Sequence, residues 1–212
     1  MPTPELKFAI LATDSVVFTI LDKKLKLLLI PVHIPPYFEH KQGLPGGLIA
    51  PDETAEDSVR RHIRNKTGIQ ISYLEQLATF SAINRDPRGR VVSVAYTAFL
   101  SEEEAMNTVL TEGAVWVDVT RVPKLAYDHN EIVAKALEDL RATLWYTKSA
   151  QYLLPRTFTL TEMQSVFDIV LRTSSDKRNF RKKVASLDLL KKTKGKKMEG
   201  AYRPAELYEF KK

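Results

Sequence analysis

The amino-acid sequence predicts an α+β protein with two domains, residues 1–148 and 149–212. Short apolar runs separated by turn residues fill the first 120 positions, a pattern that is typical of strands. Two segments with helical apolar spacing interrupt those strands, which indicates a mixed sheet held between helices. Beyond residue 150 the chain becomes basic and its apolar spacing becomes helical, and this change marks the second domain.

Six apolar runs are predicted to form strands in the first domain. They are 8–11, 16–21, 25–32, 69–80, 91–100 and 115–119. The polar segment 22–24 is predicted to turn the chain between the second and third runs, and 86–89 is a further turn signal. We therefore expect these runs to build the sheet of the first domain.

Two helices are predicted to accompany this sheet. The first spans 54–67, carries Val59 and Ile63 four residues apart, and stops at Gly68, because glycine readily adopts the left-handed conformation that ends a helix. The second spans 128–145, has Asp128 as a candidate N-cap and carries an apolar stripe along one face.

Composition excludes several classes of protein. The chain has 212 residues and no cysteine, which rules out disulfides, iron–sulfur clusters and thiol catalysis. No apolar run approaches the roughly 20 residues of a membrane-spanning helix, and residues 1–5 lack the basic start of a secretory signal. His33, His40 and His62 show no metal-ligand spacing. We therefore expect a cytoplasmic protein with no membrane association, no metal and no cofactor.

The charge of the chain is concentrated near its carboxyl end. Residues 151–212 contain 15 Lys and Arg but only 7 Asp and Glu, whereas residues 1–150 contain 17 and 19. A strongly basic segment joined to a slightly acidic one favours a polyanionic partner for the basic segment.

The second domain carries the signals of two consecutive helices and a hairpin. Thr159 and Glu162 fit a capping box at the start of the first helix. The second helix is predicted from Asp176 to about residue 190, with Phe180, Val184 and Leu187 facing inward. A basic stretch and a strand-like run over 205–210 follow. This order is typical of a winged helix-turn-helix.

The second of these helices is predicted to contact DNA. Helical projection from Phe180 places Arg178 and Lys182 opposite the buried stripe, where arginine and asparagine side chains suit the base edges of a major groove. The alternative is a basic face that is merely solvated. The candidate DNA contacts are Lys177, Arg178, Asn179, Arg181, Lys182 and Lys183 on the helix, with Lys196, Lys197 and Arg203 on the hairpin.

Residues 46–69 resemble the Nudix box, the motif of a family that includes pyrophosphohydrolases. The motif runs G, five residues, E, seven residues, then R-E-U-x-E-E-x-G-U, where U is aliphatic. Six positions agree: Gly47, Glu53, Arg61, Ile63, Gly68 and Ile69. The resemblance implies that the first domain is a Nudix-like α/β/α sandwich.

The same segment departs from the motif at the positions that carry the chemistry. The three helix glutamates that hold Mg²⁺ in hydrolases of the family are here His62, Asn65 and Lys66, which share one helix face. Without a metal, nothing neutralises a pyrophosphate or activates the attacking water. The resemblance therefore implies a protein that is not an enzyme and has no catalytic residues.

A Nudix domain without these carboxylates, followed by a basic winged helix, resembles the Nudix-related transcriptional regulators of NAD metabolism and sugar utilisation. The segments 85–96, 127–132, 158–162, 176–183 and 203–208 also carry this resemblance. It implies that the former active-site cleft binds a small effector, either ADP-ribose or a sugar.

The candidate ligand-binding residues lie in and around the Nudix box. They are Phe38, Gly46, Gly47, Arg61, Lys66, Arg85, Arg88 and His129. The cations are predicted to meet a diphosphate and Phe38 to stack on an adenine. Each has an alternative role: Arg61 as a partner of the loop that carries Glu53, Arg85 and Arg88 as an exposed turn, and Phe38 and His129 as structural residues.

The sequence thus predicts a transcriptional regulator, a repressor, that binds a double-stranded DNA operator as a homodimer and senses a small-molecule effector. The alternative is a pyrophosphohydrolase acting on a nucleoside diphosphate derivative, for which carboxylates at 62, 65 and 66 would be expected. An RNA-binding module is disfavoured because no aromatic residues alternate with the basic ones.

Overall fold

The computed structural model describes residues 9–146, 149–197 and 204–211. The strands are β1 Ile10–Leu21, β2 Lys24–Ile34, β3 Phe38–Gly43, β4 Gly46–Leu48, β5 Leu74–Phe80, β6 Val91–Phe99, β7 Val115–Asp118, β8 Leu190–Lys197 and β9 Ala205–Phe210. The helices are α1 Ala55–Thr67, α2 Glu102–Asn107, α3 His129–Thr143, α4 Ser149–Leu153, α5 Leu160–Leu171 and α6 Lys177–Leu187. None of the described helices is long and apolar enough to cross a membrane.

Seven of these strands form one sheet. Its order is β3-β2-β1-β6-β5, with β4 paired to β1 and β7 paired to β2. The central strand β1 is buried without interruption from Ala12 to Ile20, as expected for a strand that is covered on both faces. Residues 10 and 11 of the first predicted run and the whole run 16–21 belong to this single strand, because Thr13, Asp14 and Ser15 between them are themselves buried. Position 8 lies outside the described residues.

The chain divides into two compact units. The first consists of Met1–Val17, Leu27–Ala98 and Thr108–Leu137, and the second of Phe18–Lys26, Phe99–Asn107 and Glu138–Lys212. Each unit combines segments that are separated in the sequence. The units therefore do not test a single boundary after residue 148, which stays a prediction.

In the first unit, α1 confirms the predicted helix. Thr54 and Asp57 form a capping box at its start, and Gly68 ends it in the left-handed conformation with a φ of 78°. Val59 and Ile63 are fully buried. The strand predicted over 69–80 begins only at Leu74, because Ile69 is the buried residue that follows the helix cap and the next residues form no ladder.

In the second unit, the predicted helices and hairpin are present. Thr159 and Glu162 form the capping box of α5, and Asp176 caps α6. The prediction that the second helix reaches about residue 190 is wrong: α6 ends at Leu187, since Asp188 adopts a left-handed conformation with a φ of 51°. After the helix the chain continues into β8, which pairs with β9 in an antiparallel hairpin.

Aromatic contacts connect α5, α6 and the hairpin within the second unit. Trp145 packs against Phe167 at 4.2 Å and against Phe180 at 5.4 Å between ring centres. Phe158 joins the start of α5 to the hairpin, since its backbone bonds with that of Tyr208 in both directions. These contacts fix α6 by its inner face and leave its outer face exposed.

Thr159→Ala is expected to lower the free energy of unfolding by about 0.5–2 kcal/mol, because it removes the N-cap of α5. Urea denaturation followed by circular dichroism measures this change. Thr161→Ala, an exposed position in the same helix, is the matched control and is expected to change the free energy by no more than about 0.5 kcal/mol. Equal losses in the two variants would contradict the capping role.

Candidate functional site

The first unit contains a pocket of about 290 Å³. It is bordered by β1, β2, β4, the end of α1, the loop 81–90 and the start of α3. Its polar lining includes Asp14, Lys66, Arg85, Arg88 and His129. A small cleft in which several charged groups converge is a typical ligand site.

Asp14 lies at the centre of a buried hydrogen-bond network in this pocket. Its carboxylate accepts hydrogen bonds from Ser93 Oγ at 2.7 Å and Arg85 Nη2 at 3.0 Å, and His129 Nε2 lies 3.2 Å away. Burial opposes the charged form, but these three donors outweigh it and hold the pKa of Asp14 well below its usual range.

The His129 ring is oriented from its other side. The backbone N–H of Leu44 donates to Nδ1 at 2.9 Å, so the ring proton lies on Nε2 and points to Asp14. Gly43 makes this approach possible, since a Cβ there would lie 2.9 Å from Nδ1.

Arg85 lines the pocket, but its guanidinium is bound by carboxylates. Its side chain is 3% exposed and binds Asp128 through Nε at 2.8 Å and Nη2 at 2.7 Å, in addition to Asp14. Arg88 pairs with Asp86 at 2.7 Å but remains 43% exposed. The predicted pair of arginines therefore differs: Arg85 neutralises buried carboxylates, and Arg88 stays accessible.

The Nudix-box helix brings its three substituted positions to different surroundings. His62 Nε2 lies 3.0 Å from the Leu48 carbonyl oxygen, where burial lowers the pKa of the ring. Asn65 is exposed. Lys66 donates from Nζ to the Gly46 carbonyl at 2.6 Å, and burial of this ammonium lowers its pKa although much of the residue is exposed.

Glu53, the one motif glutamate that remains, is engaged by its neighbours. The guanidinium of Arg61 and the backbone N–H of Ala50 bind its carboxylate, and these contacts lower the pKa of Glu53 to about 2. Among the residues that the structure describes, no group of three or more His, Asp or Glu side chains is arranged to hold a metal ion.

Six of the eight predicted ligand-binding residues line the pocket: Gly46, Gly47, Lys66, Arg85, Arg88 and His129. Arg61 does not, because it is turned to Glu53. Phe38 does not either, but its ring packs against Tyr127 at 4.6 Å, and Tyr127 lines the cavity. The ligand roles of all eight stay predictions.

Sequence reasoning missed Asp14 and Tyr127. The signal for Asp14 was a carboxylate inside an apolar run, where a charge is buried only if it is partnered. The signal for Tyr127 was its place just before Asp128 and His129.

The predicted DNA contacts of α6 all lie on its exposed surface, while Phe180 and Val184 are buried. One of them has a second contact: Lys183 Nζ lies 4.0 Å above the centre of the Trp145 ring. Such a cation–π contact holds the ammonium against the aromatic core rather than free in solvent.

On the hairpin, several cations are paired with carboxylates. Lys197 Nζ lies 2.5 Å from Glu162, the capping residue of α5, and Lys191 and Lys192 pair with Glu209 and Glu206. Lys196 is exposed. Arg203 lies outside the described residues, so its predicted contact is not located.

Comparisons with known proteins agree with both parts of the chain. A model of the NUDIX domain matches residues 12–140, and a model of the NrtR DNA-binding winged helix domain matches 150–210. The "ADPR responsive transcriptional repressor NtrR" of Acinetobacter baylyi is 32% identical over 206 residues, which cover 95% of this chain and 82% of that protein. This chain belongs to the NrtR family. The predicted Nudix-like fold with a C-terminal winged helix is thereby confirmed.

Solved structures extend this likeness to NrtR proteins. Shewanella oneidensis NrtR complexed with a 27mer DNA is 35% identical with a TM-score of 0.80, covering 95% of this chain and 93% of that one. The NUDIX domain of the same protein complexed with ADP ribose is 35% identical with a TM-score of 0.56, covering 64% and 90%. An ADP-ribose pyrophosphatase of Methanocaldococcus jannaschii is 34% identical over 114 residues, or 54% of this chain and 67% of that protein.

Lys183→Gln is expected to lower the free energy of unfolding by about 0.5–1 kcal/mol, because it removes the cation above Trp145. Lys182→Gln, the adjacent exposed position, is the matched control and should leave it nearly unchanged. Urea denaturation followed by tryptophan fluorescence measures both variants. A stability of Lys183→Gln equal to that of Lys182→Gln would show that the contact contributes nothing.

Proposed function

We propose that this protein is a transcriptional repressor that binds operator DNA through α6 and the hairpin β8–β9 and binds ADP-ribose in the pocket of the first unit. The observation that carries the proposal is the likeness over 95% of the chain to an NrtR protein in complex with DNA. We assign effector binding to residues 1–148 and DNA binding to 149–212. A homodimer fits the two-fold symmetry that operators of such proteins share with their repressors.

The exposed face of α6 supports the DNA part of this proposal. Arg178 and Lys182 lie on that face, one turn apart, and Asn179 and Arg181 flank them. Arginine and asparagine forks match guanine and adenine edges in the major groove. Lys183, held against Trp145, has a positioning role. Lys196, an exposed cation of the hairpin, is available for a phosphate contact.

The charges of the pocket support the effector part. Arg85 is balanced by Asp14 and Asp128, whereas no carboxylate of the described residues lies within ion-pair distance of Lys66. Lys66 occupies a position where catalytic relatives of the box have a metal-binding glutamate. A diphosphate needs positive charge in a site without metal, and Lys66 with Arg88 supplies it.

We also propose that the pocket does not hydrolyse its ligand. His62 and Lys66 are committed to the carbonyl oxygens of Leu48 and Gly46, and Glu53 is committed to Arg61. None of them is arranged to bind Mg²⁺ or to activate water. The competing candidate is an ADP-ribose pyrophosphatase, which the likeness to the Methanocaldococcus jannaschii enzyme favours.

Purified protein incubated with ADP-ribose and either MgCl₂ or MnCl₂ is expected to release no AMP or ribose phosphate, because the metal-binding carboxylates are absent. Anion-exchange chromatography of the products measures this. A turnover within the ordinary range of about 1–10³ s⁻¹ would establish the enzyme instead.

The repressor itself is tested by the linkage between its two ligands. If ADP-ribose releases the protein from its operator, saturating operator DNA must weaken ADP-ribose binding by the same factor, typically about 5–150-fold. Calorimetric titration of ADP-ribose in EDTA, with and without operator, measures this factor and also shows whether binding is independent of metal.

Two variants separate the parts of this experiment. Arg178→Ala combined with Lys182→Ala should abolish the effect of DNA but keep the affinity for ADP-ribose, and Lys66→Gln should weaken ADP-ribose even without DNA. Equal affinities of the parent protein with and without operator would leave the Nudix domain as a scaffold rather than a sensor.

A further inference from the structure

The hairpin of β2 and β3 brings two histidines together at the edge of the pocket. His33 on β2 and His40 on β3 have ring centres 5.7 Å apart with 40° between the ring planes. Both residues are exposed, and His33 also lines the pocket. The two imidazoles therefore face solvent side by side.

An irregularity of the hairpin lies at these two residues. Val32 lies opposite Lys41, but Ile34 lies opposite Phe38, so the register shifts by one residue within the segment that carries both histidines. His40 itself has a positive φ of 53°. Left-handed backbone is uncommon outside glycine, and bulges of this kind redirect a side chain and are frequent beside functional sites.

The spacing of the rings fits coordination of one ion. At metal–nitrogen distances of about 2.0–2.1 Å, two imidazoles on a tetrahedral ion have ring centres roughly 5 Å apart. The observed 5.7 Å differs from this value by less than an ångström. Imidazole nitrogen prefers Zn²⁺, Ni²⁺ and Cu²⁺, whereas Mg²⁺ and Ca²⁺ prefer oxygen.

We propose that His33 and His40 form a two-histidine site for a late first-row divalent cation at the rim of the pocket. Water completes the coordination, since no third His, Asp or Glu among the described residues joins the pair. The site is separate from the Nudix-box positions on α1 and does not depend on the proposed repressor function. Their seven-residue separation is not a metal-ligand spacing, and it becomes a contact only through the pairing of β2 with β3.

The test uses the full chain without any histidine tag, freed of metal with EDTA and dialysed. Titration with ZnCl₂ in a calorimeter is expected to show one ion per chain, and titration with MgCl₂ at the same concentrations to show none at this site. His33→Gln and His40→Gln are each expected to weaken Zn²⁺ binding by at least about ten-fold, since even loss of an outer partner of a ligand costs about 10–100-fold. The matched control is His62→Gln, which changes a histidine bound to the Leu48 carbonyl and should keep the affinity.

A spectroscopic measurement tests the pair directly. Electron paramagnetic resonance of the Cu²⁺ complex is expected to show nitrogen couplings from two imidazoles in the parent protein and from one in each single variant. Circular dichroism of the metal-free variants verifies that they are folded. Absence of Zn²⁺ binding in the parent protein, or binding and couplings that are unchanged in both variants, would overturn the proposal.

Discussion

The first unit depends on a buried group of charged and polar side chains that three separate segments of the chain bring together. Asp14 comes from β1, Arg85 from the loop after β5, and Asp128 and His129 from the start of α3. Removing such charges from water is costly, and the cost is recovered only when every partner is in place. The group therefore fixes the loop, the strand and the helix start relative to one another, and it forms one wall of the pocket.

The same group decides which cations remain for a ligand. Of the three cations that line the pocket, Arg85 neutralises Asp14 and Asp128, and Arg88 pairs with Asp86 but stays 43% exposed. Lys66 has no carboxylate of the described residues within ion-pair distance. Lys66 stands where a hydrolase of this family has a metal ligand. A side-chain ammonium offers charge to a phosphate without the Lewis acidity that activates water.

In the second unit, the packing of the inner face of α6 leaves its basic outer face exposed. The contacts among Trp145, Phe167 and Phe180 hold the inner face of α6, and its cations lie on the outer face. Not all of these cations are equivalent, since Lys183 rests on Trp145 and Lys197 is paired with Glu162. Helical projection alone predicted the exposed face correctly but could not distinguish anchored from accessible cations.

By itself the sequence determined the elements that local physics controls. The capping boxes at Thr54 and Thr159, the left-handed Gly68 and the inward stripe of α6 each depend on residues within one or two turns. Only the tertiary structure decided that Asp14 is buried and charged, that Arg85 faces carboxylates, and that His33 lies beside His40. Those outcomes depend on strand register and on contacts between residues that can be more than a hundred positions apart in the sequence. No local sequence pattern shows which of these distant residues meet.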